Sequence, residues 1–236
     1  MAEKDVLYHE LLDALADEGC AICRLARKAS DRYINALLYE GVVDVNLRQK
    51  LRDARGPCYV HAWRMAGRRG AVLGTAIVYR DVINTLAKEL EAPERRSLLG
   101  GKGPLGRGAL AQRLTAAGPC PACSLEQDAV RRAIKTLLKH VSDADVAESY
   151  VAAGGLCLPH FTETLVQAGA HASGTASRSL SDWQAAAFRR LRDELDELIR
   201  KHDYRFSGEA ITEQEAVAWT RAVAAAVGEA EKLERE

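Results

Sequence analysis

An all-α protein is the fold class this sequence predicts, and three observations carry that prediction. Alanine, leucine, arginine and glutamate dominate the 236 residues, while aromatics make up only 6%; such a mixture favours helix. The β-branched residues are scattered, and no run alternates strictly between turn signals as a strand would. Apolar residues recur instead at helical spacing, between capping residues and glycine stops.

Taken in order, the first helix starts after Asp5 as N-cap, carries Leu7, Leu11, Leu12 and Leu15 on one face, and stops by Gly19. A second runs from 21 to 40 with Leu25, Ala29, Tyr33, Leu37 and Leu38. Asp44 caps a shorter helix that ends at Gly56-Pro57. The stretch 59–90 reads as one long helix crossed by Gly67, Gly70 and Gly74, which calls for a break or a close helix contact there. Residues 91–107 hold four glycines and two prolines and read as a linker. Further helices are expected over 108–116, 122–141, 144–153 and 158–169, then a small-residue loop from Ala170 to Ser177. Long helices over 179–202 and 212–233 follow, joined by Tyr204 to Ala210.

Within that string an internal repeat stands out. Cys20-Ala-Ile-Cys23 returns as Cys120-Pro-Ala-Cys123, and Leu37-Leu38 as Leu137-Leu138. One residue out of step, Gly56-Pro-Cys58-Tyr-Val-His61 is answered by Gly155-Leu-Cys157-Leu-Pro-His160. The expected organisation is therefore a first module over 1–90, the linker 91–107, a second module over 108–175, and a C-terminal helical pair over 176–236 packed across both.

All six cysteines fall inside these repeated motifs. Each half supplies Cys-x2-Cys and later Cys-x2-His, three thiols and one imidazole, a standard tetrahedral set for zinc. The candidate metal ligands are Cys20, Cys23, Cys58 and His61 in the first half and Cys120, Cys123, Cys157 and His160 in the second. Glycine or proline precedes every pair, so each is expected on the first turn of a helix, where two residues three apart face one side. The free N–H groups and positive dipole end there favour thiolate over thiol. Because the spacing repeats inside each half, each quartet is expected to close within its own half. Four protein ligands leave no open position, which points to structural rather than catalytic zinc, two ions per chain. Iron–sulfur ligation fits the same donor types, and dithiol chemistry is a third reading, though the βαβ pattern of thioredoxin-type motifs is missing.

The tandem CxxC and GxCxxH motifs, His61-Ala-Trp63 followed by Ile77-Val-Tyr79-Arg80-Asp81, and Lys201-His-Asp-Tyr-Arg-Phe206 together resemble a bacterial family of uncharacterised proteins. Members of that family are often labelled ABC-transporter substrate-binding proteins, without mechanistic support. The resemblance covers most of the chain and implies a soluble helical protein with two Cys-rich halves; it implies no activity. The transporter label fits poorly, since the sequence shows no signal core, lipobox cysteine or two-lobed α/β pattern.

Charge and length limit the function classes further. With 33 basic and 33 acidic side chains the chain offers no overall field for nucleic acid or an anionic membrane. Its longest apolar stretch, Ala71 to Tyr79, is about nine residues against the roughly 20 that span a bilayer. Met1-Ala-Glu-Lys-Asp5 has no apolar core of a leader, and a cytoplasmic protein is expected. Eight basic residues against one acidic one, Asp53, mark 46–80, a solvated face rather than a nucleic-acid surface for want of interleaved aromatics. Lys201 to Phe206 is the best candidate for a non-metal site, although a basic run at a helix end more often satisfies its last carbonyls. His140 and His171 read as surface or loop residues, and His9 as packing on the first helix. Trp63, Trp183 and Trp219 read as core or helix–helix contacts, and Ala216, Trp219, Val223 and Val227 as a docking stripe against the body or a second subunit. The expected function is a non-enzymatic zinc-stabilised scaffold or interaction protein, with a protein partner or homodimer. The alternatives are an iron–sulfur redox or electron-transfer protein and a thiol-based metal-handling or redox-sensing protein.

Overall fold

A computed structural model describes residues 4–92, 106–171 and 174–230. Every regular element among them is a helix: α1 (Val6–Leu15), α2 (Ala21–Tyr39), α3 (Val45–Asp53), α4 (Tyr59–Ala66), α5 (Val72–Glu91), α6 (Gly106–Leu114), α7 (Pro121–Lys139), α8 (Ala144–Ala152), α9 (Leu158–His171), α10 (Gly174–Lys201) and α11 (Glu213–Val227), with single 3-10 turns at Gly41–Val43 and Tyr204–Phe206.

Local chemistry explains most boundaries. Asp5 caps α1 by accepting from the Tyr8 N–H at 3.0 Å, and Asp44 caps α3 by accepting from Leu47 N–H at 2.8 Å. Thr212 and Glu215 form a reciprocal capping box at the start of α11. The predicted helix over 59–90 is broken between Gly67 and Ala71, where Gly70 takes a φ of +74°. Gly74 is then a close-contact residue: a Cβ there would come within 2.8 Å of the Leu38 carbonyl oxygen. Two expectations are corrected at the C-terminal end. Helix α10 opens at Gly174 inside the predicted small-residue loop, and α11 stops at Val227, with Gly228 at φ +97°, instead of running to 233. Most of the predicted linker, 93–105 with Arg95, Arg96 and Lys102, lies outside the described residues; its edges belong to α5 and α6.

Packing divides the chain differently from the sequence segments. One compact unit takes Met1–Lys28 and Gln127–Glu231, the other Ala29–Glu126, so α2 and α7 each contribute to both. The first unit is built on Tyr8, Leu11 and Leu15 of α1, Ile22 of α2, Ile134 and Leu137 of α7, Tyr150 of α8 and Leu180 of α10. The second is built on Ile34, Leu37 and Leu38 of α2, Leu51 of α3, Met65 of α4 and Val78 of α5. Both rest on apolar burial of one helical stripe.

Several side chains lie elsewhere than the sequence suggested. His140 is 1% exposed, its ring against Tyr8 at 4.6 Å, because the last turn of α7 points into the first core. His9 is exposed, and the side chain of His171 lies outside the described residues. Trp183 packs on the first core beside Tyr150, whereas Trp63 and Trp219 are 58% and 59% exposed. On α11 the buried side is Glu215 and Ala218, so Trp219, Val223 and Val227 face outward.

Candidate metal centres

Cysteine or histidine pairs open four helices. Cys20, Cys58, Cys120 and Cys157 each stand immediately before the first residue of α2, α4, α7 and α9, and their partners Cys23, His61, Cys123 and His160 lie three positions on. Each pair follows a stop of matched geometry. Gly56 N–H donates to the Leu51 carbonyl at 2.7 Å, and Gly155 N–H to that of Tyr150 at 2.9 Å. Both glycines hold positive φ, +93° and +81°, the left-handed closure of a helix end. The loops before the CxxC pairs are tied to these same ends. Gly19 N–H donates to the Ala153 carbonyl at 2.7 Å, and Ala117 and Gly118 donate to that of Asp53 at 2.7 and 3.2 Å.

Those ties bring together a CxxC from one half with the CxxH of the other. Cys20, Cys23, Cys157 and His160 form one set, and Cys58, His61, Cys120 and Cys123 the other, with all donor atoms of a set within 4.8 Å of one another. The expectation that each quartet closes inside its own half is therefore wrong. Spacing within a half fixes only how far apart the pairs stand in sequence; the loop-to-helix-end hydrogen bonds decide which pair faces which. The first set lies wholly in the first unit and the second wholly in the second.

The separations fit a four-coordinate ion. Zinc–sulfur bonds near 2.3 Å and zinc–nitrogen bonds near 2.0–2.1 Å give tetrahedral edges of about 3.8 Å between sulfurs and about 3.6 Å from sulfur to nitrogen. In the first centre Cys23 and Cys157 sulfurs are 3.7 Å apart, and His160 Nδ1 lies 3.5, 3.3 and 3.3 Å from Cys20, Cys23 and Cys157. In the second, Cys58 and Cys123 sulfurs are 3.5 Å apart, and His61 Nδ1 lies 3.1, 3.7 and 3.4 Å from Cys58, Cys120 and Cys123. None of the six thiols is in a disulfide.

Electrostatics match the donor set. Hydrogen bonds from Cys157 and Cys23 hold Cys20 far below the usual thiol range despite burial. Burial pushes the Cys120 thiol up, but His61 and the N–H groups of Cys58, Cys123 and Ala122 outweigh it and bring it down to about 6. Burial lowers both imidazoles, yet the sulfurs beside them raise each to about 10, His61 with help from Glu126. Cys23 is pushed up by Cys157 and Cys20, and Cys123 by burial and Cys58, so a dication would have to displace protons from each set.

Beyond the eight donors the two centres differ. His61 is buried and its Nε2 lies 2.9 Å from Glu126 Oε1, which also meets Arg64 Nη1 at 3.3 Å. Arg64, itself buried, and Arg68 both bond to Asp31. No carboxylate faces His160 Nε2 among the described residues. The first centre is supported instead by Gln184 of α10, whose Nε2 donates to the Leu156 carbonyl and whose Oε1 accepts from Leu156 N–H, both at 3.0 Å, and from the Tyr150 hydroxyl. Sequence reasoning missed Glu126 and Gln184. Glu126 could have been found, because the repeat places Ala26 opposite it and so marks an unmatched charge on a ligand-bearing helix; Gln184 had no such signal.

The remaining candidates are used structurally. Lys201 Nζ is 2.7 and 2.8 Å from the Glu215 oxygens and 3.0 Å from the Ala210 carbonyl, His202 bonds the Leu198 carbonyl, and Asp203 caps the turn at Tyr204–Phe206. In the basic stretch 46–80, Arg48 and Arg52 pair with Asp81, Arg55 with Glu89, and Arg64 and Arg68 with Asp31. Among the described residues no helix is long and apolar enough to cross a membrane.

A chain described as "Uncharacterized 23.9 kDa protein in xynA 3'region", from Caldicellulosiruptor sp. (strain Rt8B.4), is 25% identical over 218 residues, 90% of this chain and 97% of that one. No solved structure matches. The match of residues 4–232 to the family of unknown function DUF6062 spans both metal centres, and the chain belongs to that family.

Proposed function

We propose that this protein is a zinc-stapled helical scaffold, with one structural Zn²⁺ in each Cys3His set and a role in holding or presenting a protein partner. The observation that carries the reading is the fit of the donor separations to tetrahedral edges in both sets. Three thiolates, a neutral imidazole and the dication sum to −1, a charge that the two helix N-termini at each centre tolerate. Four protein donors around one point leave no position for substrate, which supports a structural role over a catalytic one. Close grouping also supports a single ion over an iron–sulfur cluster, whose cysteines sit on separate irons and are spread wider. Free thiols throughout support a reducing compartment such as the cytoplasm. Outward-facing Trp63 and Trp219 supply apolar contact area of the kind that interaction surfaces use.

Elemental analysis with an absorbance spectrum, on protein purified without added metal, tests this directly. Two zinc per chain and no visible absorption are expected. Stoichiometric iron with a band bleached by dithionite would replace the reading with the redox one.

A further inference from the structure

We infer that the second centre, Cys58–His61–Cys120–Cys123, is an oxidation-labile thiol switch that gives up its metal to a peroxide-class oxidant while the first centre keeps its own. The inference rests on the reading that both sets hold zinc, and it turns on two differences between them: access to the sulfurs, and what holds the histidine once the metal has gone.

Access differs first. In the first centre Cys20 and Cys157 are 4% and 2% exposed, enclosed by Ile22, Tyr150 and Leu156 of the core. The third, Cys23, is half-buried, with Gly228 just past α11 beside it: a Cβ there would lie 3.8 Å from Cys23 Sγ. All three cysteines of the second centre are half-buried, and none is buried. A peroxide must approach a sulfur in line with its O–O bond, so burial shields two of the three sulfurs in the first set and none in the second.

The second difference concerns what remains. When its metal departs, His61 keeps Glu126, and Arg64 still ties α4 to Glu126 on α7 and to Asp31 on α2. The helices that carry the donors therefore stay joined through an ion-pair network that uses no metal. The first centre has no ion-pair network at His160; Gln184 and the apolar core hold the chain beside its ligands instead.

The chemistry closes without further reactants. One sulfur of the Cys58–Cys123 pair, 3.5 Å apart, attacks the terminal peroxide oxygen; the O–O bond breaks, a sulfenic acid forms and one water leaves after taking a proton. The other thiolate then displaces hydroxide from the sulfenic sulfur, which takes a second proton and leaves as water. Two thiolates have lost two electrons to one peroxide, and the set, left with Cys120 and His61, no longer holds the ion.

The test uses the full zinc-loaded chain and hydrogen peroxide, with released zinc read by a chromogenic chelator and disulfides mapped by mass spectrometry. One zinc per chain should be released, with a Cys58–Cys123 disulfide and helicity retained, and thiol reductant plus zinc should reverse both. Release of both ions together, release of neither while a free thiol control is oxidised, or any other cysteine pairing overturns the inference. Fewer than two zinc before oxidation overturns the underlying reading instead, so the two failures are distinct. Glu126→Ala, or the milder Glu126→Gln should E126A not fold, removes the metal-free anchor; its helical signal should drop on oxidation, and an unchanged signal counts against the anchor.

Discussion

The two candidate metal centres start from one motif and end in different surroundings. In the first, a CxxC from residue 20 meets a CxxH from residue 157 inside an apolar core, and a glutamine on a third helix grips the backbone beside the ligand. In the second, a CxxH from residue 58 meets a CxxC from residue 120 near the surface, and a glutamate and two arginines grip the histidine and its helix. Ala26 against Glu126 is one of the repeat differences behind an apolar setting and a charged one, with Arg64 against Glu163 and Asp31 against Arg131. The comparison teaches that donor geometry can be duplicated while durability is set by the neighbours. It also shows that loop length differs: the first centre joins cysteines 134 positions apart, the second 65.

The largest expected effect breaks the comparison at the donors. Cys157→Ser should abolish metal binding at the first centre and lower thermal stability more than Cys123→Ser does at the second, because structural zinc is worth on the order of 10–16 kcal/mol apparent and the first unit has no other tie at its histidine. Metal stoichiometry and melting curves check this; equal losses would make the centres equivalent. Relative to closure within one half, the longer loop at the first centre adds only about 1 kcal/mol, so the difference should come from surroundings and not from chain entropy.

Next in size, Glu126→Ala should weaken metal at the second centre by about 10–100-fold and leave the first unchanged, since a carboxylate on the far nitrogen orients the imidazole and raises its basicity. Competition with a chelating dye reads the two affinities separately. Gln184→Ala should act in the opposite unit. It leaves the Leu156 N–H and carbonyl and the Tyr150 hydroxyl without their partner in a buried place, and should cost on the order of 2–3 kcal/mol in denaturant unfolding without changing the second centre.

The smallest effect concerns Asp81, whose carboxyl is held below its usual range by Arg48, against a small burial penalty, and by Arg52. A group with a depressed folded pKa adds stability that is complete above its unfolded value near 3.8 and is lost as pH falls through the lower folded value. Asp81→Asn should therefore matter at neutral pH by less than about 1 kcal/mol and not at all in strong acid. A difference between variant and parent that persists at low pH would show that packing, and not charge, is responsible.

Helices were legible wherever the cause was local. Asp5, Asp44 and Thr212 mark their caps in the sequence, and Gly67 and Gly70 foretold the break between α4 and α5. What failed was decided by neighbours distant in the chain. Trp63 and Trp219 look like core residues by type and spacing, but Met65 and Ala218 take the inward positions of their helices. Conversely, His140 reads as a loop residue until α1 brings Tyr8 against it.

The sequence by itself determined the eight candidate donors, their residue types and their place on the first turn of four helices, because each of those depends on a few adjacent residues. Only the tertiary structure decided that each set takes one pair from either half. Both pairings satisfy the same spacing, and the choice lies with hydrogen bonds such as Gly19 to Ala153 and Gly118 to Asp53, which link segments that are far apart in sequence. The contrast between the centres is decided in the same way: burial and charge around a ligand belong to whatever packs beside it, and the sequence marks the difference in part, as at Glu126 against Ala26.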